Sequence, residues 1–193
     1  MALRRGRNAG ATPVSKGGNR VAGRRWALVL VLLSADAPAP ATDLPGLRPG
    51  LRPVQALDRP VRISLARAIE LAATKLEGAR CREVFSDFRD QRGRTLQENL
   101  ETTGLAGAAH LRALTFASGR FHGDCKLSNV LALATPGRQT IYICGPQFLQ
   151  RERLDPGFTA ALLIHEQLHA LGLGENPPHS QEITARVISR CGR

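Results

Sequence analysis

The run FTAALLIHEQLHALGL, from Phe158 to Leu173, constrains the fold more than any other stretch of the chain. Ala161, Ile164, Leu168 and Leu171 recur at helical spacing, which predicts a helix of about four turns with one stripe facing a core. Gly172 and Gly174 supply the stop signal. The stripe gives this helix its own reason to be buried. Its other face carries His165, Glu166 and His169, which packing does not require.

Around it the pattern predicts an α+β domain. Val61, Leu65, Ala68, Ile69, Ala72 and Leu76 mark a long helix, with Asp58 and Pro60 as its start signal. A shorter helix is expected over Thr95 to Glu101. Then HLRALTF (110–116), VLALAT (130–135) and QTIYIC (139–144) read as strands, the last two joined as a hairpin at Pro136-Gly137. After NPP a final helix places Ile183, Val187 and Cys191 on one face. The order implies helices on one side of a small, mostly antiparallel sheet.

Residues 1–41 read as a signal peptide: a basic start with seven Lys or Arg and no acid, the apolar WALVLVLL, and small residues ending at Ala39-Pro40-Ala41. Eight apolar residues are too few for a stable membrane anchor. Residues 42–60 read as a Pro-rich linker, and 61–193 as the folded domain. The expected location is secreted or periplasmic. Four cysteines follow the proposed cleavage point, which suggests two disulfides. Three connectivities are possible. Cys125–Cys144 is favoured because the two flank the hairpin, with Cys81–Cys191 tying the first long helix to the last. The formal net charge of +11 invites a nucleic-acid reading. From Thr42 onward, however, 20 Lys or Arg face 15 Asp or Glu, and no basic helix or basic-aromatic run appears. No nucleic-acid partner is expected, and the chain is expected to be a monomer.

His165 and His169 are four residues apart, so one helical face presents both imidazoles. That spacing suits Zn²⁺, and Glu166 beside them can act on a metal-bound water without ligating the metal. The stretch HEQLHALGLGE resembles the H-E-x-x-H-x-x-G-x-x-H motif of zincin metallopeptidases, with HALGLG especially similar to the matrixins. The resemblance covers about a dozen residues. It implies a zincin-like fold in which His165 and His169 ligate zinc, Glu166 is the general base and Gly172 makes the turn. The third-ligand position falls on Glu175, where that motif has His or Asp. Metzincins also place a methionine turn downstream, and the single Met here is Met1. A glutamate ligand from the next helix, as in gluzincins, would be Glu182. His179 also stands nearby. In zincins an extended substrate pairs with the sheet's edge strand, which the resemblance would place at 140–144. His110 and His122 read as structural or surface residues. The expected activity is zinc-dependent peptide-bond hydrolysis by a metal-activated water, with Glu166 as general base. The alternative is an inactive zincin-like secreted scaffold that binds zinc or an extended peptide.

Overall fold

A computed structural model describes residues 57–192 as a small α+β domain. The signal peptide read at 1–41, and the linker as far as residue 56, lie outside these residues. Helix α1, Arg59–Glu77, begins inside the stretch read as linker, with Pro60 in its first turn, where the missing N–H costs nothing. All six residues that predicted it are buried. Two short helices follow, α2 (Ala79–Arg82) and α3 (Val84–Asp87). Helix α4, Leu96–Thr102, is nucleated by a capping box: Thr95 accepts from the Glu98 N–H, and the Glu98 carboxylate accepts from the Thr95 N–H.

The stretch 110–116, expected as a strand, is divided. Its first residues close helix α5, Gly107–Ala113, and the strand β1 starts only at Thr115 and ends at Ser118. GAAHLRA is rich in good helix formers, and His110 and Leu111 are both buried although adjacent, which alternation does not allow for. A 3₁₀ turn, Gly123–Lys126, leads to β2 (Ala132–Ala134) and β3 (Thr140–Ile143). The sheet order is β1-β3-β2, with β1 parallel and β2 antiparallel to β3. The sheet is therefore mixed, where a mostly antiparallel one was expected. Strand β3 is its centre, so 140–144 is not an edge. The edge strand that packs on the histidine helix is β2.

Helix α6, Gly145–Leu154, has no counterpart in the sequence reading. It buries only Phe148 and Glu152, too few for a visible period. Helix α7, Pro156–Ala170, packs against α1, α6, the final helix α8 (Ser180–Cys191), β2 and β3. It is capped by the Asp155 carboxylate on the Phe158 N–H. From Thr159 to Ala170 it is buried at nearly every position, including the face that carries its polar residues. Polar groups buried this way must find partners, since each unpaired one costs about 1–3 kcal/mol.

Both disulfides pair as the spacing favoured. Cys125–Cys144 brackets the β2–β3 hairpin, and Cys81–Cys191 joins α2, just past α1, to the end of α8. Beside the latter, Arg190 of α8 clamps the Asp87 carboxylate with two bonds of 2.8 Å and also pairs with Glu83. Among the described residues no helix is long and apolar enough to cross a membrane.

Candidate metal centre

The end of α7 builds the site. Gly172 sits at φ 110, a backbone region open to glycine but not to most side chains. Its N–H bonds the His169 carbonyl at 2.8 Å, and the Leu173 N–H reaches back to the Leu168 carbonyl at 3.1 Å. This is a Schellman closure, with Leu168 and Leu173 both buried beside it. The reversal brings the Leu173 carbonyl 2.8 Å from His169 Nδ1 and returns Glu175 to the histidine face. The β2–β3 hairpin braces the same helix end, since the Gly137 N–H donates to the His169 carbonyl at 2.9 Å.

Three ligand atoms converge. His165 Nε2 lies 3.0 Å from His169 Nε2. Glu175 Oε1 lies 3.3 Å from His169 Nε2 and 3.7 Å from His165 Nε2. His165, His169 and Glu175 form a group that could hold a metal ion. In a tetrahedron with bonds of about 2.0–2.1 Å, neighbouring ligand atoms stand roughly 3.3–3.4 Å apart, close to the middle of the observed range. The chemistry of the donors fits as well. The Leu173 carbonyl can only accept, so His169 carries its proton on Nδ1 and presents a lone pair at Nε2. His165 Nδ1 is engaged by Thr184 Oγ1 at 2.9 Å. Burial, and then the neighbouring His169, push the His165 imidazole down to about 3, so it is neutral near pH 7 and able to ligate.

Glu166 stands apart from this triangle. Burial, and next the negative charge of Glu175, push its carboxyl up to about 8, while a hydrogen bond from the Ala134 N–H pulls the other way. A cation held by the triangle would oppose both upward causes and favour the carboxylate. Glu166 also lines a cleft of about 520 Å³ together with His165, His169, Glu175, Leu162, Ser180 and the length of β2.

The two open alternatives for the third ligand are not in the triangle. Glu182 is exposed in the first turn of α8, and His179 is exposed with its ring bonded to Asn176 at 2.6 Å. His110 and His122 also stand outside it. His110 is buried and bonded to Gln167 of α7 at 3.1 Å, and the His122 ring lies against Tyr142. Reasoning from sequence missed the supports of the site. Thr184 comes from α8, and Ala134 from the edge strand. Asn99 of α4 donates 2.9 Å to the Leu171 carbonyl and 3.0 Å to Asp90, bracing the turn at Gly172. No local pattern announces such long-range contacts; the one available signal for Thr184 is its place beside the buried stripe Ile183 and Val187 of α8.

No protein-family model, curated protein or solved structure matches the chain.

Proposed function

We propose that this protein is an exported zinc-dependent peptidase of the zincin type. The observation that carries the proposal is the convergence of His165 Nε2, His169 Nε2 and Glu175 Oε1 within 4.8 Å, with Glu166 beside them in the same cleft and outside the ligand set. Two imidazoles and one carboxylate suit zinc, and three protein ligands leave a tetrahedral ion one position for water or substrate. When bound, zinc would supply Lewis-acid chemistry: it polarises a scissile carbonyl and acidifies water.

The chain's own residues would do the rest. Glu166 takes the proton of the attacking water and hands it to the leaving amine. The Ala134 N–H favours the ionised form of that carboxyl. An extended substrate docks on β2, in place of the 140–144 strand. The register pairs Leu133 with Tyr142, and the Cys144 N–H bonds the Leu131 carbonyl. In an antiparallel ladder this turns the backbone groups of Leu131 and Leu133 toward β3, and those of Ala132 and Ala134 toward the open edge. A peptide strand would pair there, through Ala132 and the Ala134 carbonyl, along the cleft that Glu166 lines. The two disulfides agree with an oxidising compartment, secreted or periplasmic.

One observation favours the inactive-scaffold alternative. A carboxyl as buried as Glu166 resists ionising, and a protonated Glu166 cannot take a proton from water. Metal content and turnover separate the readings. Protein purified from an oxidising compartment should carry about one zinc per chain, and His165→Ala or His169→Ala should lose it. Zinc retained in the double variant refutes the assignment. A zinc-loaded wild type that cleaves nothing across a broad peptide library makes the scaffold the better account.

A further inference from the structure

His165 and His169 are held in unlike ways. His169 Nδ1 faces a backbone carbonyl, Leu173 O, at 2.8 Å, and a carbonyl cannot donate. The tautomer of His169 is thus dictated by the main chain. His165 Nδ1 faces the hydroxyl of Thr184 at 2.9 Å, and a hydroxyl can give or take a proton. If Thr184 donates, the His165 proton sits on Nε2, 3.0 Å from His169 Nε2. That N–H would donate to the His169 Nε2 lone pair and leave His165 no lone pair at Nε2 to ligate with. If Thr184 accepts, the His165 proton sits on Nδ1 and both Nε2 lone pairs are free to ligate. One side chain therefore separates a closed imidazole pair from an open ligand pair, with no heavy atom moved.

We infer that Thr184 is the positioning residue of the metal centre, its hydroxyl accepting from His165 Nδ1 and so presenting Nε2 to the ion. This rests on the metal reading given above. Outer partners of this kind hold a ligand's ring orientation and its basicity. The hydroxyl arrives on α8, a helix that contributes no ligand to the triangle. Ile183 and Val187 bury that helix, and Cys81–Cys191 fixes its far end. The placement of Thr184 is thereby determined by the fold rather than by a local turn.

The test compares the full chain with Thr184→Val, which keeps the shape and removes the hydroxyl, and Thr184→Ser, which keeps the hydroxyl. Zinc affinity is measured by competition with a chromophoric chelator, and thermal midpoints are measured after zinc is stripped. Thr184→Val should bind zinc about 10–100-fold more weakly, with an unchanged zinc-free midpoint. Thr184→Ser should stay close to the wild type. Imidazole nitrogen NMR of the zinc-loaded wild type should find the His165 proton on Nδ1. The inference is overturned if Thr184→Val keeps wild-type affinity, or if Thr184→Ser loses affinity as Thr184→Val does. A drop in the zinc-free midpoint of Thr184→Val as large as its drop with zinc would also overturn it, because the role is then packing alone. A wild type that binds no zinc removes the metal reading and this inference together; an indifferent Thr184→Val in a zinc-binding wild type removes the inference alone.

Discussion

Replacing Glu166 with Gln removes a proton acceptor and keeps nearly the same shape. Because Glu166 lies outside the ligand triangle, the variant should retain zinc and fold normally. Activity should fall by roughly 10²–10⁴, the usual contribution of a positioned general base. Under the proposed function Glu175→Gln should behave differently, since it would remove a coordinating charge: zinc affinity and activity should drop together. Glu182→Gln should leave both near the wild type, because Glu182 is exposed and away from the triangle. Zinc content and turnover measured on the three variants check this pattern. Equal zinc loss in Glu175→Gln and Glu182→Gln would contradict the ligand set. Asp90 adds a pH dependence. The Asn99 side chain, and then the Arg94 and Arg92 N–H groups, outweigh burial and hold its carboxyl down at about 2, against the ordinary 3.8. Between those values the unfolded chain binds the extra proton. The stability Asp90 contributes is therefore complete above about pH 4 and is lost as pH falls toward 2. Acid unfolding of Asp90→Asn should lack that part of the pH dependence; an unchanged curve would show that Asp90 is not so engaged.

At the level of elements, the turn after α7 decides whether the ligands meet. Gly172→Ala would force a side chain into a positive-φ residue, with its Cβ 3.4 Å from the Cβ of Asp90. The expected cost is about 1–2 kcal/mol or more, together with weaker zinc binding. Asn99→Ala should cost about 1–3 kcal/mol by uncapping the Leu171 carbonyl on the same turn. Denaturant melts with and without zinc read both effects, and a zinc affinity untouched in Gly172→Ala would separate the turn from the site. The helices α1, α7 and α8 were legible in the sequence because each repeats apolar residues over two turns or more. So were the hairpin, through Pro136-Gly137, and the pair His165 and His169. Helix α6 was not, since Phe148 and Glu152 alone are buried and one of them is charged. Nor was the identity of the edge strand. β2 and β3 are both short apolar strands, and only the parallel pairing of β1 with β3, a long-range choice, puts β2 at the rim.

At the scale of the described domain there are two covalent ties, one joining α2 to the end of α8 and one closing the β2–β3 hairpin. Cys81–Cys191 spans 110 residues and Cys125–Cys144 spans 19. By loop entropy their removal should cost about 4–5 and about 3 kcal/mol respectively. Cys81→Ser with Cys191→Ser should therefore lower the thermal midpoint more than the other pair does. The reverse order in a calorimetric comparison would mean that native contacts, not loop closure, set the difference. Cysteine pairing was readable because two bridges among four residues leave three choices, and a hairpin favours one of them. Glu175 was readable only through the resemblance, whose third-ligand position falls on it; Glu182 and His179 stayed open beside it, because the turn at Gly172 that returns Glu175 to the histidines is a matter of the fold. The proposed function is hydrolysis by a metal centre with a separate base. It is tested most directly by incubating an unstructured protein with zinc-loaded wild type and zinc-loaded Glu166→Gln, and measuring the new amino termini formed. The wild type should cleave it, with cleavage abolished when zinc is stripped, and Glu166→Gln should lose roughly 10²–10⁴ of that rate at equal zinc content. Equal cleavage by the two proteins, or none by the wild type, would contradict it.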